Sequence, residues 1–311
     1  MDDSWPLRAT HAEIMRTATP LRLAAAAAAL VGLAACGAAA PSPGGQSGTG
    51  PTSAVPSPAA TTPAPSGATT QAPTAPPGST PSATPSAPPP STSPGPAGIT
   101  GGLAGKDWTY IPTSRRVVAL TFDAGANADA VPSILATLRH EGVPATFFLT
   151  GNFVRDFPAA ARSIAAAGFR IGDHTITHPH LTRLSDAAVR QEILGGARQI
   201  MSVTGQNPAP LFRFPYGDTD TRTIALANRA GYVPVRWTVD TLGWEGTAGH
   251  ISASVVVSRV LAAARPGEIV LMHVGSNPDD HTTFDADALL RMISGLRNRG
   301  YSFVTLDALT G

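Results

Sequence analysis

The sequence predicts an α/β fold built on a parallel sheet, open or closed into a barrel. Three observations predict it. From Lys106 to Gly311, β-rich runs and helical stretches alternate about seven times, as in repeated β-α units of one domain. Gly142, Gly168, Gly231 and Gly300 each follow a helical stretch, where a left-handed cap is wanted. The β-rich runs also end on polar or ionisable residues, at the edge where such sheets build their sites.

In chain order, the first segment stands outside that domain. Leu21 to Ala35 is a short apolar run with Arg16 and Arg22 on its N-terminal side. That is the layout of a secretory signal, too short to span a bilayer comfortably. It ends in Leu33-Ala34-Ala35-Cys36, which resembles the lipobox of bacterial lipoproteins, whose cysteine is lipidated and becomes the new N-terminus. Residues 1–36 are therefore read as a lipoprotein signal peptide with Cys36 as the lipidation site. That reading implies a protein outside the cytoplasm, anchored to the cell membrane; the plain alternative is a cleaved signal with an incidental cysteine. Cys36 is the only cysteine, so the chain cannot close a disulfide within itself. Asp2, Asp3 and Glu13 suit the leading part of a signal poorly, which makes Met15 an alternative start to Met1.

Gly37 to Gly105 contains no Asp, Glu, Lys, Arg or His, and its only larger aliphatic residues are Val55, Ile99 and Leu103. A Pro/Ala/Ser/Thr/Gly-rich chain of this kind buries too little apolar surface to offset its ordering entropy. It is expected to be a disordered linker spanning about 3 Å per residue where extended, a tether between anchor and domain. A formal charge of +1 says little about partners; with no basic tract or aromatic-basic interleaving, nucleic acid is set aside as a partner. The protein is expected to be a monomer.

Lys106 to Gly311 is long enough for one domain with a sizeable core. Expected strands are Val117–Phe122, Ala145–Leu149, Phe169–Gly172, Leu211–Phe214, Tyr232–Val239, Glu268–His273 and Ser302–Leu306. Expected helices are Ala128–His140, Asp156–Ala167, Ser185–Val203, Thr221–Ala230, Ile251–Ala264 and Ala286–Arg299, with Ser185 as an N-cap.

Five strand ends deliver polar groups to one rim: Asp123; Asp173-His174 with His178; Arg213 to Tyr216; Asp240 with Trp244; and His273. A lone histidine is more often a satisfied polar residue than a ligand, and a lone aspartate often only caps a turn. Five in register point to one site. His174 and His178 stand four apart, a spacing that suits two metal ligands but is weak evidence alone. A carboxylate at a neighbouring strand end strengthens it, and imidazoles suit first-row divalent ions. His180, after Pro179, reads as surface. Asn277 to His281 forms a polar loop on the same rim, either a substrate contact or a solvated loop.

The stretches Thr121-Phe122-Asp123-Ala124-Gly125, His174-Thr175-Ile176-Thr177-His178, Arg213-Phe214-Pro215-Tyr216-Gly217, Asp240-Thr241-Leu242-Gly243-Trp244 and Leu271-Met272-His273 together resemble five ordered motifs of the polysaccharide deacetylases, the NodB-type carbohydrate esterases. The likeness runs from about Val117 to Leu306. It implies a distorted (β/α) barrel of about seven parallel strands and metal-dependent removal of acetyl groups from N-acetylated polysaccharide. The implied ion is divalent, Zn2+ first, with Co2+ or another first-row ion as alternatives. By the same resemblance, Asp123 is the general base that deprotonates a metal-bound water, and His174 and His178 hold the ion. Arg213 pairs with Asp123. The backbone N–H of Tyr216 stabilises the oxyanion, His273 is the general acid, and Asp240 holds and charges its imidazole. Trp244 and Leu271 wall the acetyl pocket, although plain packing explains Leu271 nearly as well.

Two positions depart from the motifs. Ala124 stands where a third ligand, an aspartate, is usual, and Gly243 where another aspartate is usual. Three arrangements are open at the first: two histidines plus water, Asp123 itself as a ligand, or another acid such as Asp129 or Asp173 swinging in. The first is the one expected. Function then divides between a deacetylase of cell-envelope polysaccharide, peptidoglycan amino sugars above all, and a non-catalytic carbohydrate-binding module that lost its metal through Ala124.

Overall fold

The computed structural model describes residues 98–311; the signal segment, Cys36 and most of the tether lie outside the described residues. Among the described residues no helix is long and apolar enough to cross a membrane.

The fold is built on one parallel sheet. Its central strand β1 (Val117–Ala124) is buried along its whole length, which explains its near-continuous apolar run. It pairs on one side with β2 (Ala145–Leu149) and on the other with β7 (Glu268–His273). Beyond β2 lie β3 (Arg170–Asp173), β4 (Leu211–Phe212) and β5 (Val233–Pro234), while β6 (Val239–Asp240) flanks β7. The short β8 (Ser302–Phe303) pairs with the start of β1. The intervening helices are α1 (Val131–Glu141), α2 (Gly151–Asp156), α3 (Pro158–Ala166), α4 (Asp186–Thr204), α5 (Thr221–Arg229), α6 (Ala253–Ala263), α7 (Phe284–Asn298) and α8 (Asp307–Thr310). Gly142, Gly168, Gly231 and Gly300 all adopt positive φ, between 61° and 86°, as their place after a helix predicts. Ser185 caps α4 by accepting the Ala188 N–H.

The run expected as one strand, Tyr232–Val239, is two. Its first part pairs with β4 at one end of the sheet and its last part with β7 at the other. The chain itself therefore bridges the gap, and the sheet curls into a distorted barrel without a ladder across the seam. Where the strand changes neighbours, its carbonyls lose their ladder partners. The fully buried Arg213 supplies the missing donors, from Nε to Val235 O at 3.0 Å and from Nη2 to Arg236 O at 2.9 Å.

Strand alternation sorts the core. Leu120, Phe122, Phe147 and Ile171 pack outward against the helices, while Ala119, Phe148, Leu211, Val233 and Ile269 fill the barrel. Gly172 has no side chain because Phe148 fills that space; a Cβ there would lie 2.6 Å from the ring. The linker also ends earlier than composition predicts. Ile99 and Leu103 pack against the interior cluster, Ile99 N–H donates to Asn228 O at 2.8 Å, and the Gly105 N–H donates to the Asn228 side chain at 2.8 Å. Those aliphatics bury apolar surface that the rest of the segment lacks.

Candidate active site

The strand register assembles the site. Asp123 and His273 are register partners on β1 and β7, so their side chains stand abreast on the barrel side of the sheet. Asp123 is buried, and its Oδ1 accepts from Arg213 Nη1 at 2.7 Å. Burial would raise this carboxyl, but Arg213, then His174 and His273, outweigh it and hold it below the usual range. Arg213 thus closes the barrel seam and keeps Asp123 ionised. Removing either partner of so buried a pair costs about 3–5 kcal/mol.

The two histidines sit on a tight loop after β3. Thr175 and His178 both take positive φ, 72° and 61°. Three devices offset that strain. The Asp173 carboxylate accepts the Thr175 N–H, and the Thr175 hydroxyl accepts the His178 N–H. Glu192 on α4 accepts the N–H groups of Ile176 and Thr177 and the Thr177 hydroxyl. Helix α4 approaches this closely because Gly195 and Gly196 face the loop; a Cβ on Gly196 would lie 2.8 Å from the Thr175 backbone. The imidazoles of His174 and His178 end 4.8 Å apart, edge to face.

Their chemistry suits a cation. Burial lowers both groups below the ordinary histidine range, His178 to about 3, so both are neutral near pH 7. His174 Nδ1 lies 2.8 Å from the Arg213 carbonyl, which can only accept, so Nδ1 carries the proton and Nε2 a lone pair. That Nε2 faces the ionised Asp123 Oδ2 at 3.4 Å. Two buried acceptors facing each other favour a positive charge beside them, and the imidazoles fit a first-row divalent ion. Among the described residues, however, no group of three or more His, Cys, Asp or Glu side chains is arranged to hold an ion. Asp129 instead accepts from the Ser276 hydroxyl, and the fully buried Asp173 packs against Gly196.

Asp123, Ala124, His174, His178 and His273 line one cavity of about 330 Å³, with Thr150, Asn152 and Thr177 completing the wall. Its volume is at the lower end for small-ligand sites. Sequence reasoning missed those last three residues, since isolated neutral polar residues carry no distinctive spacing. Tyr216 follows Arg213 with φ of 61°, and its half-exposed ring stacks on His180 at 4.2 Å and meets His178 edge-on at 4.5 Å. His180 is half-buried rather than a plain surface residue, its Nδ1 2.8 Å from Asp218 Oδ2. Trp244 stands edge-on to the His273 ring at 6.3 Å. Leu271 is buried two residues below His273 and does not reach the cavity lining. The Asn277–His281 loop is tied down, with Asn277 Nδ2 donating to Trp244 O and Asp280 accepting from Thr247.

One assignment needs correcting. Asp240 was expected to hold the His273 imidazole, but its Oδ1 accepts the Leu242 N–H at 2.9 Å instead. The carboxylate against His273 is Asp285, from the first turn of α7, which accepts the His273 backbone N–H at 2.8 Å and lies 3.8 Å from Nδ1. Burial alone would lower His273; Asp285, then Asp123 and Asp240, outweigh it and raise it above the usual range. Asp240 acts on the imidazole only through its field.

Comparison with known proteins places the chain in a family. The sequence profile described as Polysaccharide deacetylase matches residues 110–235. The chain is 34% identical over 198 residues to a peptidoglycan-N-acetylglucosamine deacetylase of Bacillus cereus, covering 64% of this chain and 70% of that protein. The chain belongs to the polysaccharide deacetylase family. It is also 37% identical over 202 residues to a chitooligosaccharide deacetylase of Bradyrhizobium, spanning 62% of this chain and 90% of that one. Among solved structures, it is similar to a CE4 family pseudoenzyme from Bacillus anthracis, with a TM-score of 0.58 and 30% identity over 65% of this chain and 68% of that one.

Proposed function

We propose that this member of the family removes N-acetyl groups from cell-envelope polysaccharide, with peptidoglycan amino sugars as its substrate. The observation that carries the proposal is the pairing of Asp123 and His273, an ionised carboxylate and a raised imidazole, across one small cavity. With Oδ1 committed to Arg213, Asp123 has Oδ2 free to take a proton from water as its oxygen attacks the acetyl carbonyl carbon. His273 then gives its proton to the amide nitrogen, the C–N bond breaks, and acetate and a free amine leave. His273 Nδ1 is buried while the side chain is 30% exposed, so its Nε2 edge serves the cavity. His174 and His178 would hold a divalent ion, Zn2+ first, which when bound polarises the carbonyl and acidifies water. The signal-like segment and the tether support the envelope location, with Cys36 as the lipid anchor. The relatives named for peptidoglycan and for chitooligosaccharide both act on N-acetylated sugars, and the anchor favours the first.

The test is acetate release by purified protein from peptidoglycan and from N-acetylglucosamine oligomers, with divalent metal supplied. Asp123→Asn and His273→Ala should each cut kcat by about 10²–10⁴. A second reading, carbohydrate binding without turnover, is favoured by Ala124 and by the likeness to a pseudoenzyme. Glycan binding with no acetate released from any acetylated glycan would establish it and overturn the first.

A further inference from the structure

We infer that Asp285 takes the place of the side chain that Gly243 lacks and positions the His273 imidazole from a different element of the fold. Its consequence for turnover rests on the deacetylase reading; its tie to the imidazole does not.

The space decides the substitution. A Cβ on Gly243 would lie 2.3 Å from Asp285 Oδ1 and 2.6 Å from its Cγ, so the Asp285 carboxylate fills the volume that a residue at 243 would enter. Asp285 is 4% exposed and held at both oxygens. Oδ1 accepts the Thr241 hydroxyl at 2.6 Å, and Oδ2 accepts the His273 N–H at 2.8 Å. Thr241 belongs to the segment that carries Gly243, so Asp285 is fastened to the place where the usual aspartate would be attached. The buried His273 Nδ1 has no hydrogen-bond partner, and Asp285 Oδ2 stands 3.8 Å away. A hydrogen bond there needs the ring to move toward the carboxylate. Such a bond fixes the Nδ1–H tautomer and leaves Nε2 for the cavity. The other titratable groups facing His273 are Asp123 on β1, Asp240 on β6, and His174 and His178 on the loop after β3. Of the carboxylates, Asp285 is the one with an oxygen as close as 3.8 Å to a His273 ring nitrogen, which places it to orient the ring.

A purely structural role, tying α7 to the end of β7, would use the same hydrogen bonds but not the charge. Asp285→Asn keeps the shape and removes the charge, and Asp285→Gly with Gly243→Asp moves the carboxylate back to the other element. The His273 titration is followed by NMR in histidine-labelled, full-length protein, beside acetate release against pH. Asp285→Asn should lower the His273 midpoint by about one unit or more, shift the alkaline limb of the rate profile with it, and cut kcat by about tenfold or more with KM little changed. The double variant should restore both. An unchanged His273 midpoint in folded Asp285→Asn, or a folded double variant that restores neither, overturns the inference. The NMR titration decides it even for a protein that releases no acetate, so its failure and that of the deacetylase reading are separable.

Discussion

At Ala124 and at Gly243 the chain carries a small residue where the resemblance to the family's motifs implies an aspartate, and the two gaps end differently. Behind Ala124, at the end of β1, no carboxylate among the described residues moves in; Asp129 is bonded to Ser276 and Asp173 is sealed against α4. Behind Gly243, Asp285 crosses from α7 and fills the space. The difference follows from what each carboxylate must do. A ligand must put an oxygen about 2 Å from the ion in a set geometry, so few attachment points serve. A carboxylate that orients and charges an imidazole acts over several ångströms, and another element can supply it.

If partners rather than attachment points govern buried carboxylates, a buried carboxylate without a hydrogen-bond partner should show a large effect. Glu268 starts β7, at the opposite end from His273, and is fully buried with neither oxygen hydrogen-bonded. Burial pushes it up from 4.5 to about 7. A carboxyl raised on folding stabilises fully below its unfolded value and loses that contribution as pH rises through the folded one. Stability should therefore fall between pH 4.5 and about 7, by up to about 1.4 kcal/mol per unit and about 3 kcal/mol in all. Urea midpoints of wild type and Glu268→Gln at pH 5 and pH 8 measure it as the difference between their slopes, because burial also raises Asp173, Asp107 and Asp240. A wild-type profile as flat as that of the variant would break the comparison.

The filled gap comes next. Gly243→Ala adds only a methyl group, but it lands on the Asp285 carboxylate, which is short, buried and bonded at both oxygens. The expected cost is about 1–3 kcal/mol, read from the urea midpoint. No loss of stability would mean that Asp285 yields easily and does not hold the place of the missing side chain.

What the sequence made legible divides along similar lines. The strand cores and the four helix-capping glycines announce themselves locally, by apolar runs and by backbone need. Asp123, His174, His178 and His273 share a cavity, with Arg213 bonded behind Asp123, because each ends or follows a strand, and strand ends meet at one rim. The split of Tyr232–Val239 was hidden because pairing with β4 or with β7 leaves the same apolar pattern in the run. The seam role of Arg213 was hidden for the same reason: its partners are main-chain carbonyls, which no side-chain pattern records. Asp285 was missed since its partners, Thr241 and His273, lie 44 and 12 residues away, separations that match no repeat. The one available signal was the absence at Gly243, which says that a group is missing but not what replaces it.

The open gap gives the smallest expected effect and the most direct test. Ala124 is fully buried yet borders the cavity with both imidazoles, so Ala124→Asp adds a carboxylate on the strand that already holds Asp123. Without an ion, that carboxylate is desolvated beside Asp123, and the variant should be less stable than wild type. With an ion, the extra oxygen should tighten binding about tenfold, or ~1.4 kcal/mol. Titration calorimetry with Zn2+ reads the affinity. Thermal melts with and without Zn2+ read the linkage, since an ion that binds only the folded state raises stability in proportion to the logarithm of its concentration over Kd. An affinity that does not rise would mean that Ala124 is not where a ligand is missing.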